Sequence, residues 1–537
     1  MLRNVLADYL DNIREREFDL PFLALLSAMG FYDVHFTHGQ VEFGKDFIAK
    51  RQVNDVETQF SFQSKAGDIT LAEWRNNIMG QMLDALLTGL SHPSFSRNLP
   101  HQAVLVTTGK LAGNVSLGLQ DLNRTISETY HLLPIVVWDH ETLLAHLEAH
   151  GLEGLYRATA DGFVGYGDFY VLYGKCLQGI ISDREIENHS RQWLNEAVTP
   201  RKRLLGAALE AEIIAQKAAQ QGLLYEVTHA HLGALRAVEI QLQNQNDVAE
   251  IDRLREVYTQ AIWRLRSSYR TYISLIRQRW TEAGKDLVQI ARSSGGMITY
   301  LVHCARIIEV AGSLYSLEEE EDTKLDLIEF LVDFVAHEAG CAHIPGDRYA
   351  VSLVPPVIAL IDSGHTDRAR ELVRRATIWL CDRYQDGSGL APIEASEQEE
   401  TTILFGQPFS FIPLRPFYTS FLATVLCDLS AFVDDQLYSD VVNDVKACRI
   451  VMQYWQPQDS LGLFQIEGTD VIAYPNIEYS DRVTRFDAFD FAEHIMHEPR
   501  TFRITQYADP FALISVMLLL RDRYFPTVWP LLLHGRV

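Results

Sequence analysis

The sequence predicts a chain in two parts: an α/β N-terminal domain built on a mixed central sheet, then a large all-α region that reads as a helical array. Three observations predict this. Over residues 1–155, helix-spaced apolar segments alternate with strand-like ones in the order αβββαβαβ. At 166–183 an aromatic-rich stretch, "YGDFYVLYGKCLQGIISD", marks a change of pattern. Beyond Asp183 strand signals fade, and segments rich in Ala, Gln and Leu, which favour helices, take over. The expected divisions are a first domain over 1–155, a helical linker or interaction region over 156–315, and an α-helical sensor or partner-binding domain over 316–537.

"DLPFLALLSAMGF" is apolar at helical spacing and stops at Gly30. "DVHFT", "VEFGKDFIAK" and "TQFSFQSK" read as three short strands separated by turn residues. "LAEWRNNIMGQMLDALLTGLS" is an amphipathic helix, "HQAVLVTTG" a buried strand and "AGNVSLGLQDLNRTISETY" a further helix. "LLPIVVWD" is another buried strand, before the helix "ETLLAHLEAH". Continuous apolar strands divided by helices imply a partly parallel sheet covered on both faces. Later, "SLEEEED" reads as an acidic break between helices, "GHTDRARELVRRATIWLCDRY" as an amphipathic helix and "DGSGLAPIEASEQEETT" as an exposed loop.

The 537 residues suffice for about two to four domains, and 47% hydrophobic content suffices for a substantial core. The formal net charge of -24 excludes nucleic-acid binding by bulk charge, so such binding needs a local basic patch. Six cysteines without a C-x-x-C pair read as reduced core residues of a cytoplasmic protein. The N-terminal stretch is too acidic and interrupted for a signal peptide. The longest apolar runs fall far short of the roughly 20 residues that span a bilayer, so no membrane association is expected.

The stretch from Gln40 to Thr70 carries the most chemistry. Side chains alternate along a strand, so Glu42, Gly44 and Asp46 share one face of the first strand, and Gln59, Ser61, Gln63 and Lys65 one face of the second. If the strands pair as a hairpin, Asp46 faces Gln63 and Lys65. A carboxylate and an amide oxygen are hard ligands that suit Mg²⁺ or Mn²⁺. A nearby lysine can orient an attacking water and stabilise developing phosphoryl charge. Gly44 leaves room beside the acids. The plainer alternative is the solvated face of an antiparallel sheet.

"FDLPFLALLSAMGFYDVHFTHGQVEFGKDFIA…FQSKAG" resembles the Mrr-like restriction endonuclease branch of the PD-(D/E)xK nuclease superfamily. "GKD" (Gly44 to Asp46) matches its G-x-D element and "QSK" (Gln63 to Lys65) its Q-x-K element. The later strand–helix pairs "AVLVTTGKLAGNV" and "LPIVVWDHETLLAHL" are similar to its closing segments. The resemblance covers about residues 10–155 and implies a restriction-endonuclease-like fold with a Mg²⁺ (or Mn²⁺) cofactor. It implies Asp46 as the central metal ligand and Gln63 in the position that is Glu or Asp in most of the superfamily. Lys65 would be the catalytic lysine. Asp19 would be the metal-site acid of the first helix, with Glu17 as competitor, and Glu42 a second acid near the metal. No proline precedes the acid, a departure from the literal motif. The implied function is a metal-dependent endonuclease that hydrolyses phosphodiester bonds in DNA, with restriction or anti-phage defence suggested by analogy. The alternatives are an RNA-cleaving nuclease and a non-catalytic nucleic-acid-binding scaffold. Cutting a duplex takes two sites, which implies a homo-oligomer, and the helical region would bind a protein partner or trigger.

Two other stretches compete. "VAHEAGCAHIP" offers His337, Glu338, Cys341 and His343 and imitates a zinc-protease helix with Cys in place of the second His. The expected reading is a helix end packed by small residues. "RLREVYTQAIWRLRSSYRTYISLIRQRW" interleaves arginines with aromatics, which suits phosphate contact and base stacking. The plainer reading, a long helix whose arginines pair with acidic neighbours, is preferred. "VTTGKLAGN" lacks phosphate-loop spacing and reads as a strand-to-helix turn.

Overall fold

The computed structural model describes residues 2–37, 45–88, 92, 95–96, 98–155, 167–194, 199–243, 245, 247–291, 297–393, 395–405, 419–452, 518 and 521. They form two compact units, 1–264 and 265–537. The first opens with helices α1 (Leu2–Asn12) and α2 (Asp19–Ala28), then strands β1 (Tyr32–Phe36), β2 (Phe47–Val53) and β3 (Val56–Lys65). A helical stretch follows from α3 (Leu71–Glu73) through a π turn (Trp74–Ile78) into α4 (Met79–Leu87). β4 (His101–Thr107), α5 (Val115–Thr125), β5 (Val136–Trp138) and α6 (His140–Leu155) complete the α/β part.

The five strands form one mixed sheet in the order β1-β2-β3-β4-β5. β1, β2 and β3 pair antiparallel, and β3, β4 and β5 parallel. The β2–β3 hairpin turns through Asn54 and Asp55, both at positive φ (50° and 62°), the left-handed conformation that short Asx side chains tolerate and tight hairpins need. One sheet face carries an aromatic cluster. The Phe22 ring of α2 lies 5.1 Å from Phe47 and 5.5 Å from Phe62, and Phe31 lies 5.0 Å from Phe60. Each fully buried ring contributes roughly 2 kcal/mol. The other face is covered by Trp74, Ile78, Met82, Val115 and Leu119, packed with Ala103 and Leu105 of β4. The apolar run in β4 is continuous because both of its faces are buried.

The first unit does not end with α6. It takes in α7 (Gly167–Gln178), α8 (Asp183–Ser190), α9 (Pro200–Gln220) and α10 (Leu224–Gln243). α9 packs on α2 and α6, so helices expected in a separate interaction region share this unit. α11 (Val248–Glu282) begins within it, and Arg264 of α11 reaches Glu212 of α9 with Nε and Nη2 at 2.6 and 2.7 Å.

The second unit is helical: α12 (Leu287–Ala291), α13 (Met297–Leu317), α14 (Glu321–His337), α15 (Val354–Asp362), α16 (Thr366–Gln385), α17 (Glu397–Leu404), α18 (Phe421–Val433) and α19 (Asp435–Ala447). A parallel two-stranded bridge, β6 (Thr419–Ser420) with β7 (Val451–Met452), accompanies them. α17 corrects the expected loop. Ser396 and Glu399 form a capping box, each side chain accepting from the other's backbone N–H, and the chain turns helical there. No helix among the described residues is long and apolar enough to cross a membrane.

Candidate active site on the β2–β3 hairpin

Asp46 stands one residue before β2, and its backbone is tied on both sides. Its N–H donates to the Phe62 carbonyl (2.8 Å), and its carbonyl accepts from the Thr37 N–H (2.9 Å). The carboxylate is held in turn. Oδ2 accepts from Gln63 Nε2 at 2.8 Å and from the Ser64 backbone N–H at 2.7 Å. Asp46 and Gln63 are 8% and 4% exposed, so a buried carboxylate is compensated by charge-assisted hydrogen bonds rather than by water. The register Phe47↔Phe62 puts Asp46 level with Gln63, the opposition that strand alternation predicts.

Lys65 is the last residue of β3, two beyond Gln63 and so on the same side of the strand. Its surroundings are fixed where β3 and β4 end. The Lys65 carbonyl accepts from the Thr108 N–H (3.2 Å), and Thr107 Oγ1 donates to the Gly67 carbonyl (2.6 Å). A Cβ on Gly109 would lie 2.2 Å from the Gly67 carbonyl carbon, so only glycine lets these two turns touch. "VTTGKLAGN" is thus a strand-to-helix turn, and it braces the strand end that carries Lys65. The carboxyl ends of parallel strands are where open α/β sheets bind ligands.

Asp19 begins α2, 4% exposed, with Arg16 Nη1 3.7 Å from its Oδ2. Phe22, one turn further along, packs against Phe47 and Phe62, which alternation puts on the sheet face opposite to that of Gln63, so this packing does not itself bring Asp19 to Asp46. Glu17 instead accepts from the Arg14 N–H at 3.1 Å and caps its own short turn. Glu42 and Gly44 lie outside the described residues.

One contributor, Ser64, and one buried neighbour, Lys45, were not read from the sequence as part of the site. Ser64 acts through its backbone N–H, which no side-chain pattern reveals. Lys45, within "GKD", is 4% exposed. Burial pushes its ammonium below the ordinary value, against the opposing pull of Asp84 on α4. His101 of β4 bonds Ser61 Oγ through Nε2 at 2.9 Å and is held down to about 4, first by burial and then by the Lys45 charge.

The competing stretches resolve as structural. Glu338 accepts at Oε1 from Trp280 Nε1 (2.6 Å) and the Leu287 N–H (2.8 Å), and at Oε2 from the Tyr300 hydroxyl (2.9 Å). His343 stacks on Trp379, and Cys341 is fully buried. On α11, Arg253, Arg255 and Arg264 pair with Glu250, Asp252 and Glu212 in the first unit, while in the second Arg270 grips Glu318, Arg277 grips Asp326 and Arg266 reaches Glu319, so most of this basic stripe is spent on ion pairs.

The donor set at Asp46 and Gln63 suits a hard dication. A carboxylate and an amide group stand within hydrogen-bond distance, and turning the Gln63 amide by half a rotation presents its oxygen. Two such protein ligands match Mg²⁺ or Mn²⁺, which keep several of their own waters. Comparison of the chain with protein-family models, curated proteins and solved structures found no match.

Proposed function

We propose that the first unit is a restriction-endonuclease-like, Mg²⁺-dependent nuclease of the Mrr-like PD-(D/E)xK kind that hydrolyses phosphodiester bonds in DNA. The observation that carries this reading is the buried Asp46–Gln63 hydrogen bond with Lys65 two residues on. Asp46 and Gln63, with Asp19 as the third candidate, would hold the ion. When bound, the ion supplies a Lewis acid for the scissile phosphate and lowers the pKa of a coordinated water. Ser64 and Gln63 fix the Asp46 carboxylate before substrate arrives, which removes a reorganisation cost at the moment of reaction. The Lys65 ammonium orients the attacking water and counters charge that develops on the phosphoryl oxygens. The helical second unit serves as the partner- or trigger-binding part, and two copies serve a duplex.

The test incubates the full chain with plasmid DNA and with structured RNA, in Mg²⁺, Mn²⁺ or EDTA, beside Asp46→Ala and Lys65→Ala. The expected result is DNA cutting that EDTA stops and that each substitution lowers about a hundred-fold or more. Cutting that survives both substitutions overturns the assignment. Cutting of RNA alone moves the substrate class, and gel-shift binding without cutting favours the non-catalytic scaffold.

A further inference from the structure

A second cluster of ligating side chains lies on β1 and on the segment before β4, with Glu256 of α11 beside it. Asp33 and His35 stand two apart on β1, where the pairing with β2 shifts between Tyr32 and His35. Asp33 takes a left-handed φ of 51° at that irregularity. A bulge of this kind re-aims side chains, and here His35 Nε2 lies 2.7 Å from Asp33 Oδ1. The His92 ring packs against His35 with centroids 3.9 Å apart and planes inclined 31°. One ligand atom from each of Asp33, His35 and His92 lies within 4.8 Å of the others.

We propose that Asp33, His35 and His92 bind a divalent transition-metal ion of the zinc class, with Glu256 orienting the His35 ring from outside the ligand set. Two imidazoles and a carboxylate are the donor set that zinc, cobalt and nickel take in preference to magnesium. Four-coordinate zinc with bonds of about 2.0–2.1 Å needs donors just over 3 Å apart, a spacing these atoms reach by small side-chain adjustments. The outer groups are already in place. His35 Nδ1 faces Glu256 Oε1 at 3.5 Å. A carboxylate on the far nitrogen is what fixes the tautomer of a metal-bound histidine, leaving Nε2 for the ion. Lys50 Nζ holds the other Asp33 oxygen, Oδ2, at 2.9 Å and lies 4.9 Å over the Phe95 ring. It orients the carboxylate so that Oδ1 faces the histidines. Two carboxylates against one ammonium keep the site net negative, as a dication requires. The ion would tie β1 to the segment before β4 and, through Glu256, to α11. It is separate from the Mg²⁺ of the nuclease reading in both its ligands and its ion class.

The experiment strips the full chain with a chelator and titrates Zn²⁺ by calorimetry and Co²⁺ by visible absorption, in excess Mg²⁺. The expected result is one equivalent bound despite the Mg²⁺, lost in the double variant His35→Gln/His92→Gln. Glu256→Gln should weaken it by about 10- to 100-fold. His92→Cys should retain Co²⁺ and add thiolate charge-transfer absorption, a signature that only direct ligation gives. A wild-type chain that takes up no more ion than the double variant overturns the site. So does a His92→Cys Co²⁺ spectrum without thiolate bands, a readout that stands even where His92→Gln fails to fold.

Discussion

At the scale of single residues, Gln63 is the position where the candidate active site departs from a purely acidic one. Its amide donates to Asp46, so the resting site holds one negative charge and a neutral partner. Gln63→Glu puts a second carboxylate within 3 Å or so of the first. Like charges that close cannot both ionise without a counterion. The variant is therefore expected to be less stable without metal by about 1–3 kcal/mol, to bind Mg²⁺ more tightly and to gain stability on Mg²⁺ addition. Thermal unfolding with and without Mg²⁺ reads both effects, and a variant that ignores Mg²⁺ would remove the ion from this pair. Glu338 makes the opposite case. It was chemically suggestive in sequence, yet its two oxygens serve three donors in the helical unit. Glu338→Ala strands two buried donors, on Trp280 and Leu287, each costing about 1–3 kcal/mol, and the half-buried Tyr300 hydroxyl. It should sharply lower the unfolding transition and leave the proposed cleavage by any surviving folded protein intact.

At the scale of elements, Gly109 links turn geometry to the placement of Lys65. Gly109→Ala drives a methyl into the Gly67 backbone, which cannot yield as a flexible side chain can. A loss of about 1–3 kcal/mol is expected, with the proposed nuclease activity falling more than Mg²⁺ affinity because the turn braces Lys65, whereas Asp46 and Gln63 are held by their own hydrogen bonds. Equal losses of both would mean that the turn does not govern Lys65. This contact was invisible in "VTTGKLAG", because it joins residues some forty positions apart. The strands around it were legible. Alternation in "TQFSFQSK" fixed which residues share the Gln63 face, and the unbroken apolar run of "AVLV" announced a strand covered on both sides. The start of β2 was less legible, since the alternation of "VEFG" runs straight into the continuous apolar "FIA" at which the strand begins. α17 was missed because Gly, Pro and acidic residues outweighed the Ser396–Glu399 cap. The Asp33–His35–His92 cluster was missed for a different reason. "DVH" carries a D-x-H spacing, but His92 reaches it only through the fold.

At the scale of the whole molecule, the two units share a vulnerability to acid. His101 in the first unit and His303 in the second are both held down to about 4, His101 chiefly by burial with Lys45 adding, His303 chiefly by burial with Arg306 adding. An unfolded histidine takes up its proton near pH 6.5. As pH falls from about 6.5 to 4, the unfolded chain therefore binds protons that the folded chain refuses, and folding is progressively disfavoured. Below about 4 both states are protonated and this contribution stops changing. Each imidazole can cost roughly 3 kcal/mol over that window at most, a large share of the 5–15 kcal/mol typical of a folded domain. Urea unfolding at about pH 7.5, 6 and 5 should show a steady loss of stability, reduced in part by His101→Gln and in part by His303→Gln. Because the histidines lie in different units, the two losses should add, since distant sites without shared partners combine independently. A stability that stays flat from about pH 7 to 5 would mean that neither imidazole is kept neutral by its surroundings. Losses that add within one transition would mean that the units unfold together, whereas a substitution that flattens only one of two transitions would mean that they unfold separately.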